Sequence, residues 1–369
     1  MLSRLGTPHL LVCTTLLVGT GLVMVYSASA LRAEVSFGSA WIYLARQLAG
    51  LGLGLVAAYL LSRVPLTWLG RLAYPAWIGG TLLLLLTLTP LGLEENGARR
   101  WLAVGGLTLQ PLEPMKLALI LALARWLSQN PSRMRDYRIS IGVPIALTLI
   151  PGAILLLQPD FGGTVMLVLF AATLIYTAGA RLTHLLATAA LALPLIFQVA
   201  FQAGYRAGRL RSFLDPWADP YGQGYQLVQS LLAFGAGGLA GSGLGAGQQK
   251  LGYLPEAHTD FILSVVGEEV GLIGVITILI CFAVLGLAAL GIASRARDPF
   301  SLLLAVGASL MLWLQGLLNA GVAMGALPTK GTTLPLFSYG RSSMVTSLAA
   351  VGLLLNVARP QRRGRRGWR

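Results

Sequence analysis

Asp260 ends a long polar stretch, 204–260, and directly precedes an apolar run that begins at Phe261. His258 lies two residues earlier. A carboxylate at the rim of an apolar segment can take a proton from a hydroxyl, so Asp260 is a candidate general base. The same position suits helix capping by Asp260 or Thr259, and the two readings are compatible. Glu113 and Lys116 are three apart at the start of another apolar segment, so a helix would put them on one face as a pair. Ionisable groups at that depth are costly and often functional, although a structural pair is the plainer reading. Arg209, Arg211 and Lys330, together with Lys116, could line a site for phosphates. Taken singly, each reads as ordinary surface charge or headgroup contact. Glu268 and Glu269 stand two turns into the run after Asp260, where at least one should face the interior with a structural hydrogen bond.

The elements that carry these residues must be membrane helices. Only 11% of the 369 residues are charged, against about 25% in soluble domains, and 56% are hydrophobic. The mean hydropathy is +0.73. The apolar runs are continuous, which excludes the alternating strands of a membrane β-barrel. About ten segments are long enough, or nearly so, to span: 10–26, 42–61, 69–88, 115–127, 141–157, 164–178, 182–201, 261–293, 302–324 and 344–357. The expected fold is an all-α polytopic membrane protein with about ten transmembrane helices. One membrane domain, 1–369, then holds a large folded extracytoplasmic loop, 204–260, between helices 7 and 8. That loop is long and lacks a strong helix pattern, but its aromatic residues argue against disorder. Ala28-Ser29-Ala30 matches a signal-peptide cleavage pattern, yet the preceding run is long for that role, so a retained helix is expected. Cys13 and Cys281 lie inside apolar runs, which disfavours a disulfide framework or a metal site. The glycine-rich stretch 237–247 has no strand before it and is no dinucleotide fingerprint; turns packed close to helices are expected there.

Charge sets the orientation. Arginines fill alternate connections, including Arg63, Arg71, Arg133, Arg135, Arg181, Arg295 and Arg297, and the basic tail 359–369. That face should be cytoplasmic, with both termini on it. The other connections hold most acidic residues, so the chemistry belongs outside. The net charge of +14 is then a topology signal with contact to anionic membrane lipids. Nucleic acid is not required.

Several stretches together resemble the SEDS family of bacterial cell-wall proteins, the FtsW, RodA and SpoVE group. They are GLVMVYSAS (21–29), NGARRW (96–101), QPLEPMK (110–116), QPDFG (158–162), FLDPW (213–217), LPEAHTDF (254–261), GEE (267–269) and SYG (338–340). The resemblance covers nearly the whole chain. LPEAHTDF and FLDPW are highly specific. The loop wording is closer to the division branch (FtsW) than to the elongation branch (RodA), which more often has Arg where Ala257 stands. The sequence departs from the family at Leu112, usually Ser, and at Arg341, usually Gly.

The resemblance implies a peptidoglycan glycosyltransferase that polymerises lipid II at the outer face of the bacterial cytoplasmic membrane, in division or elongation. It carries the family's essential Asp onto Asp260 and its fourth-helix Glu and Lys onto Glu113 and Lys116. A class B penicillin-binding protein is the implied partner, within a division or elongation complex. The donor carries its own pyrophosphate leaving group, so no nucleotide is needed. Asp260 would be the base and Arg209, Arg211, Lys116 and Lys330 the leaving-group cations, with His258 nearby and Glu113 holding Lys116. A divalent cation could assist at the pyrophosphate, but no ligand cluster demands a metal. The alternatives are a lipid II flippase or transporter, and a scaffold without chemistry.

Overall fold

The computed structural model describes residues 5–95, 97–104, 107–202, 208 and 211–359. Each of the ten apolar segments is helical. The helices are α1 (Thr7–Phe37), α2 (Ile42–Arg63), α3 (Leu66–Leu86), α4 (Leu112–Gln129), α5 (Val143–Leu157), α6 (Phe161–Thr177) and α7 (Leu182–Gln202). They continue with α8 (Tyr225–Gly237), α9 (Ile262–Ala293), α10 (Pro299–Ala323) and α11 (Arg341–Ala358). Among the described residues, seven helical stretches are long and apolar enough to cross a membrane, by length and composition. The other segments fall short for plain reasons. Helix α4 carries Glu113, Lys116 and Arg125 within 18 residues. Helix α6 has 17 residues, and the apolar part of α7 is Leu182–Pro194.

Burial sorts these helices into centre and rim. Helices α10 and α11 are mostly buried, and α4 is buried along nearly its whole length. Helix α2 is mostly exposed and packs along α11. Small residues allow that approach: a Cβ at Gly352 would collide with the backbone of Ala58, and one at Gly54 with Leu348. Without a hydrophobic drive between helices in lipid, such close backbone packing is what holds them together. The outward apolar residues of α2, such as Leu53, Val56 and Leu60, are surface that lipid tails would cover.

Two expectations are corrected. The fold is not purely helical: residues between α3 and α4 form a three-stranded antiparallel sheet, β1 (Gly92–Glu95), β2 (Ala98–Val104) and β3 (Leu107–Leu109), in the order β1-β2-β3. Asn96-Gly97 is a strong hairpin-turn pair, because the turn needs φ > 0, and Gly97 has φ 72. The 204–260 stretch also contains a 13-residue helix, α8. Its Leu227, Val228 and Leu231 fall on one helical face, and Ser230 hydroxyl bonds Ser264 Oγ (2.6 Å) and Ala323 O (2.6 Å), docking α8 on α9 and α10. The tail beyond Arg359 lies outside the described residues.

Helix α9 is broken at Gly271, where φ is 73 and ψ −169. The glycine-rich stretch packs into the break. Leu272 N–H bonds Gly238 O and Ile273 N–H bonds Leu239 O, while Ser242 and Gly243 N–H bond the carbonyls of Glu268 and Glu269. Backbone groups freed by the break are thus satisfied by the loop, as a kink at membrane depth requires. A Cβ at Gly241 or Gly271 would overlap the other strand of this contact.

Candidate active site

The site is built where the 324–340 connection between α10 and α11 meets the start of α9. Helix α9 begins at Ile262 with Phe261 in the N-cap position and no side-chain cap bond. Thr259 is not the cap; its Oγ1 donates to Glu256 Oε2 at 2.8 Å. The turn is fixed by Glu256, at φ 56, whose carbonyl accepts from Thr259 and Phe261 N–H. Asn319 of α10 donates to Asp260 O at 2.9 Å and to Thr332 O, so one buried amide joins the two segments. Asp260 is half-buried, and a Cβ at Gly331 would stand 3.2 Å from its Oδ2. The connection therefore runs directly beside the carboxylate.

Lys330 precedes that glycine. Its stem lies across Gly162, where any Cβ would overlap it. Its Nζ is closed off from solvent and has no hydrogen-bond partner among the described residues. Burial pushes its pKa down from 10.5 to about 7; the Asp160 charge opposes the fall and the Lys116 charge adds to it. Keeping an unpartnered ammonium charged in such a place is costly, which is why its proton is held less tightly than that of an exposed lysine.

Beneath it, Glu113 and Lys116 form the expected pair, and both are buried. Lys116 Nζ donates to Glu113 Oε1 (2.7 Å) and Gln315 Oε1 (2.7 Å). Glu113 Oε2 accepts from Thr346 Oγ1 (2.7 Å), and Gln315 Nε2 donates to Thr333 O (3.2 Å). This network ties α4, α10, α11 and the 324–340 connection into one floor. Lys116 is committed to it.

Two further groups had no role assigned from sequence. Asp160 caps α6, accepting from Gly163 N–H at 2.8 Å, and its charge reaches Lys330. Arg100 on β2 donates to Pro159 O, while its Nε is buried without a partner. Both stand in conspicuous motifs, NGARRW and QPDFG. Nothing in the sequence tells that these motifs meet, as Arg100 and Pro159 do across 59 residues of chain.

The remaining expected residues lie elsewhere. Arg211 is exposed. Arg209 lies outside the described residues. His258 is buried between the rings of Tyr43 (4.9 Å) and Tyr339 (5.5 Å). Burial lowers its pKa to about 4, against the Glu256 charge and with that of Arg32. It is neutral near pH 7 and contributes no cation. Arg341 donates to Thr108 Oγ1 of β3 (2.9 Å), and Leu112 lies against Gly163. Glu268 and Glu269 both make structural bonds. Glu268 Oε1 accepts from Gln248 N–H (2.7 Å), and Glu269 accepts from Lys250 Nζ (2.6 Å), Ser27 Oγ (2.8 Å) and Gly245 N–H (3.0 Å).

The arrangement offers a half-buried carboxylate beside the 324–340 connection and, on that connection, a desolvated amine near Asp160. It can take a proton from one group while neutralising negative charge on another.

Residues 8–363 match the family described as cell cycle protein, that of FtsW, RodA and SpoVE. A probable peptidoglycan glycosyltransferase FtsW of Geobacter metallireducens is 42% identical over 339 residues, 92% of this chain and 90% of its relative. A chain from a peptidoglycan synthase complex that coordinates polymerization and crosslinking superimposes with a TM-score of 0.79 at 34% identity, covering 96% of this chain and 97% of that one. The rod shape determining protein RodA of Thermus thermophilus gives 0.70 at 33% identity, covering 95% of each chain.

Proposed function

The chain belongs to the FtsW, RodA and SpoVE family, and from that premise we propose that it is a peptidoglycan glycosyltransferase of the division type. It polymerises lipid II into β-1,4 glycan at the outer face of the cytoplasmic membrane, with ten spanning helices and both termini cytoplasmic. The observation that carries this reading is that one connection, 324–340, runs beside the half-buried Asp260 at Gly331 and carries, one residue earlier, Lys330 with its buried, unpartnered Nζ. Asp260 removes the proton from the acceptor hydroxyl as it attacks the anomeric carbon. Lys330 neutralises the departing polyprenyl pyrophosphate, and a single displacement inverts the anomeric centre. Charge placed in advance where it develops is the usual large contribution to such catalysis. Glu113 and Lys116 hold the floor in place. The likeness to a chain of a polymerising and crosslinking complex supports a class B penicillin-binding protein as partner.

The test adds labelled lipid II to the purified protein with its partner and looks for glycan chains. Glycan that disappears in a folded Asp260→Asn protein supports the reading. Transfer of lipid II across liposomes without glycan, under conditions in which a related polymerase works, would replace it with the flippase reading. A product blocked by moenomycin would indicate a contaminating enzyme of another class.

A further inference from the structure

A second charged cavity lies at the opposite end of the bundle. It occupies about 230 Å³ where the first residues of α1 and α10 meet the last of α9 and α11. Its walls carry three guanidinium groups, Arg295, Arg297 and Arg359, and one carboxylate, Asp298. That carboxylate is engaged as the cap of α10, accepting from Ser301 N–H (3.0 Å) and Ser301 Oγ (2.5 Å). Among the described residues, neither Arg297 nor Arg359 forms a salt bridge with any acid. Arg295 donates to Leu5 O (2.7 Å) and Arg359 to Ser62 O (2.9 Å); the Arg359 fork keeps further N–H groups for a ligand. Arg297 has no hydrogen-bond partner among the described residues. Three guanidinium groups against one engaged carboxylate leave a positive cavity.

We propose that this cavity binds the phosphate of an anionic glycerophospholipid. Guanidinium forks match phosphate oxygens two at a time. The volume is below the range of about 300–1,000 Å³ usual for whole small-molecule ligands, and suits one headgroup phosphate with its ester arms. Ile292 and Val357 also line the cavity. Next to it, Leu290 and Leu287 of α9 and Leu11 and Val12 of α1 face outward, where acyl chains could continue from the bound phosphate. A lipid held there would clamp α1 and α11 to the α9–α10 corner. This site is separate from Asp260 and does not depend on the glycosyltransferase reading.

The test uses the purified full chain in detergent, with native mass spectrometry to count retained lipid. Dioctanoyl phosphatidylglycerol should be retained in preference to dioctanoyl phosphatidylcholine. Arg297→Gln, which breaks no bond to the protein, should weaken retention about fivefold, the effect of one basic residue facing an anionic lipid. Arg297→Lys should keep most of it. The Arg297→Gln/Arg359→Gln pair should lose about twenty-fivefold if the effects multiply. Equal retention of phosphatidylcholine, or less than a twofold change in the double variant, overturns the proposal. If inorganic phosphate at the same concentration displaces phosphatidylglycerol completely, the ligand is free phosphate and the lipid assignment falls.

Discussion

Asp260 and Lys330 divide the proposed chemistry between them, and each makes a distinct prediction. Phe261, not Asp260, occupies the N-cap of α9. Asp260→Asn should therefore fold, and polymerisation should drop roughly a hundredfold or more, the scale of lost general-base catalysis. The comparison with Asp260→Ala decides the matter. If Asn keeps activity while Ala loses both activity and folding, the carboxylate is structural and the base lies elsewhere. Lys330 predicts a pH dependence. Its pKa is about 7 in the folded chain against an ordinary 10.5. Between those values the unfolded chain holds the proton and the folded chain does not, so stability rises with pH across that window. Below pH 7 both forms are charged, above 10.5 both are neutral, and this contribution is flat. Pyrophosphate favours the charged form, so its binding takes up a proton above pH 7. Affinity for a pyrophosphate-bearing lipid should then fall with rising pH, at most tenfold per pH unit. Titration calorimetry on wild type and Lys330→Met checks this: the variant should bind weakly, without this dependence. An equal slope in both would remove Lys330 from the site. Asp260, Glu113, Lys116 and Lys330 were legible as ionisable residues in an apolar chain. Asp160 and Arg100 were not, because their importance comes from a meeting of distant segments.

At the scale of elements, the ten apolar runs were readable because lipid leaves the backbone little choice but helix. What the apolar count missed is where the chain departs from plain spans. The sheet was signalled only by the Asn96-Gly97 turn. Helix α8 is too short to stand out among polar neighbours, and the break at Gly271 sits inside one unbroken apolar run, 261–293. That break is held by side chains as well as backbone. Lys250 reaches Glu269 and Ser27 across the glycine-rich stretch (2.6 and 3.0 Å). Both charges of the Lys250–Glu269 pair are buried, with side-chain exposures of 9% and 0%. Removing one partner of a buried pair leaves the other uncompensated and costs about 3–5 kcal/mol. Glu269→Gln should thus lower the unfolding midpoint in detergent markedly. Replacing both groups by methionine should recover most of the loss. A Glu269→Gln protein as stable as wild type would show that the pair does not hold the loop.

For the whole molecule, orientation is the property on which the proposed chemistry depends, since lipid-linked donor and growing glycan must meet at the outer surface. Charge bias across connections supports the assignment, and the structure gives it specific positions to probe. Asp219 lies exposed in the segment that precedes α8, and Arg135 lies exposed between α4 and α5. The two belong to opposite sides in the proposed topology. Replacing Cys13 and Cys281 by alanine gives a background without native thiols, at modest cost because both are small apolar positions in helices. In whole cells with an opened outer barrier, a membrane-impermeant maleimide should label Asp219→Cys at once. Arg135→Cys should be labelled only after the inner membrane is permeabilised. The reverse pattern would put Asp260 and Lys330 on the cytoplasmic side, where outward polymerisation has no acceptor, and the flippase reading would then fit the buried Glu113–Lys116 pair better. Labelling of both without permeabilisation would mean that the span count between α4 and α8 is wrong, even if the site itself survives.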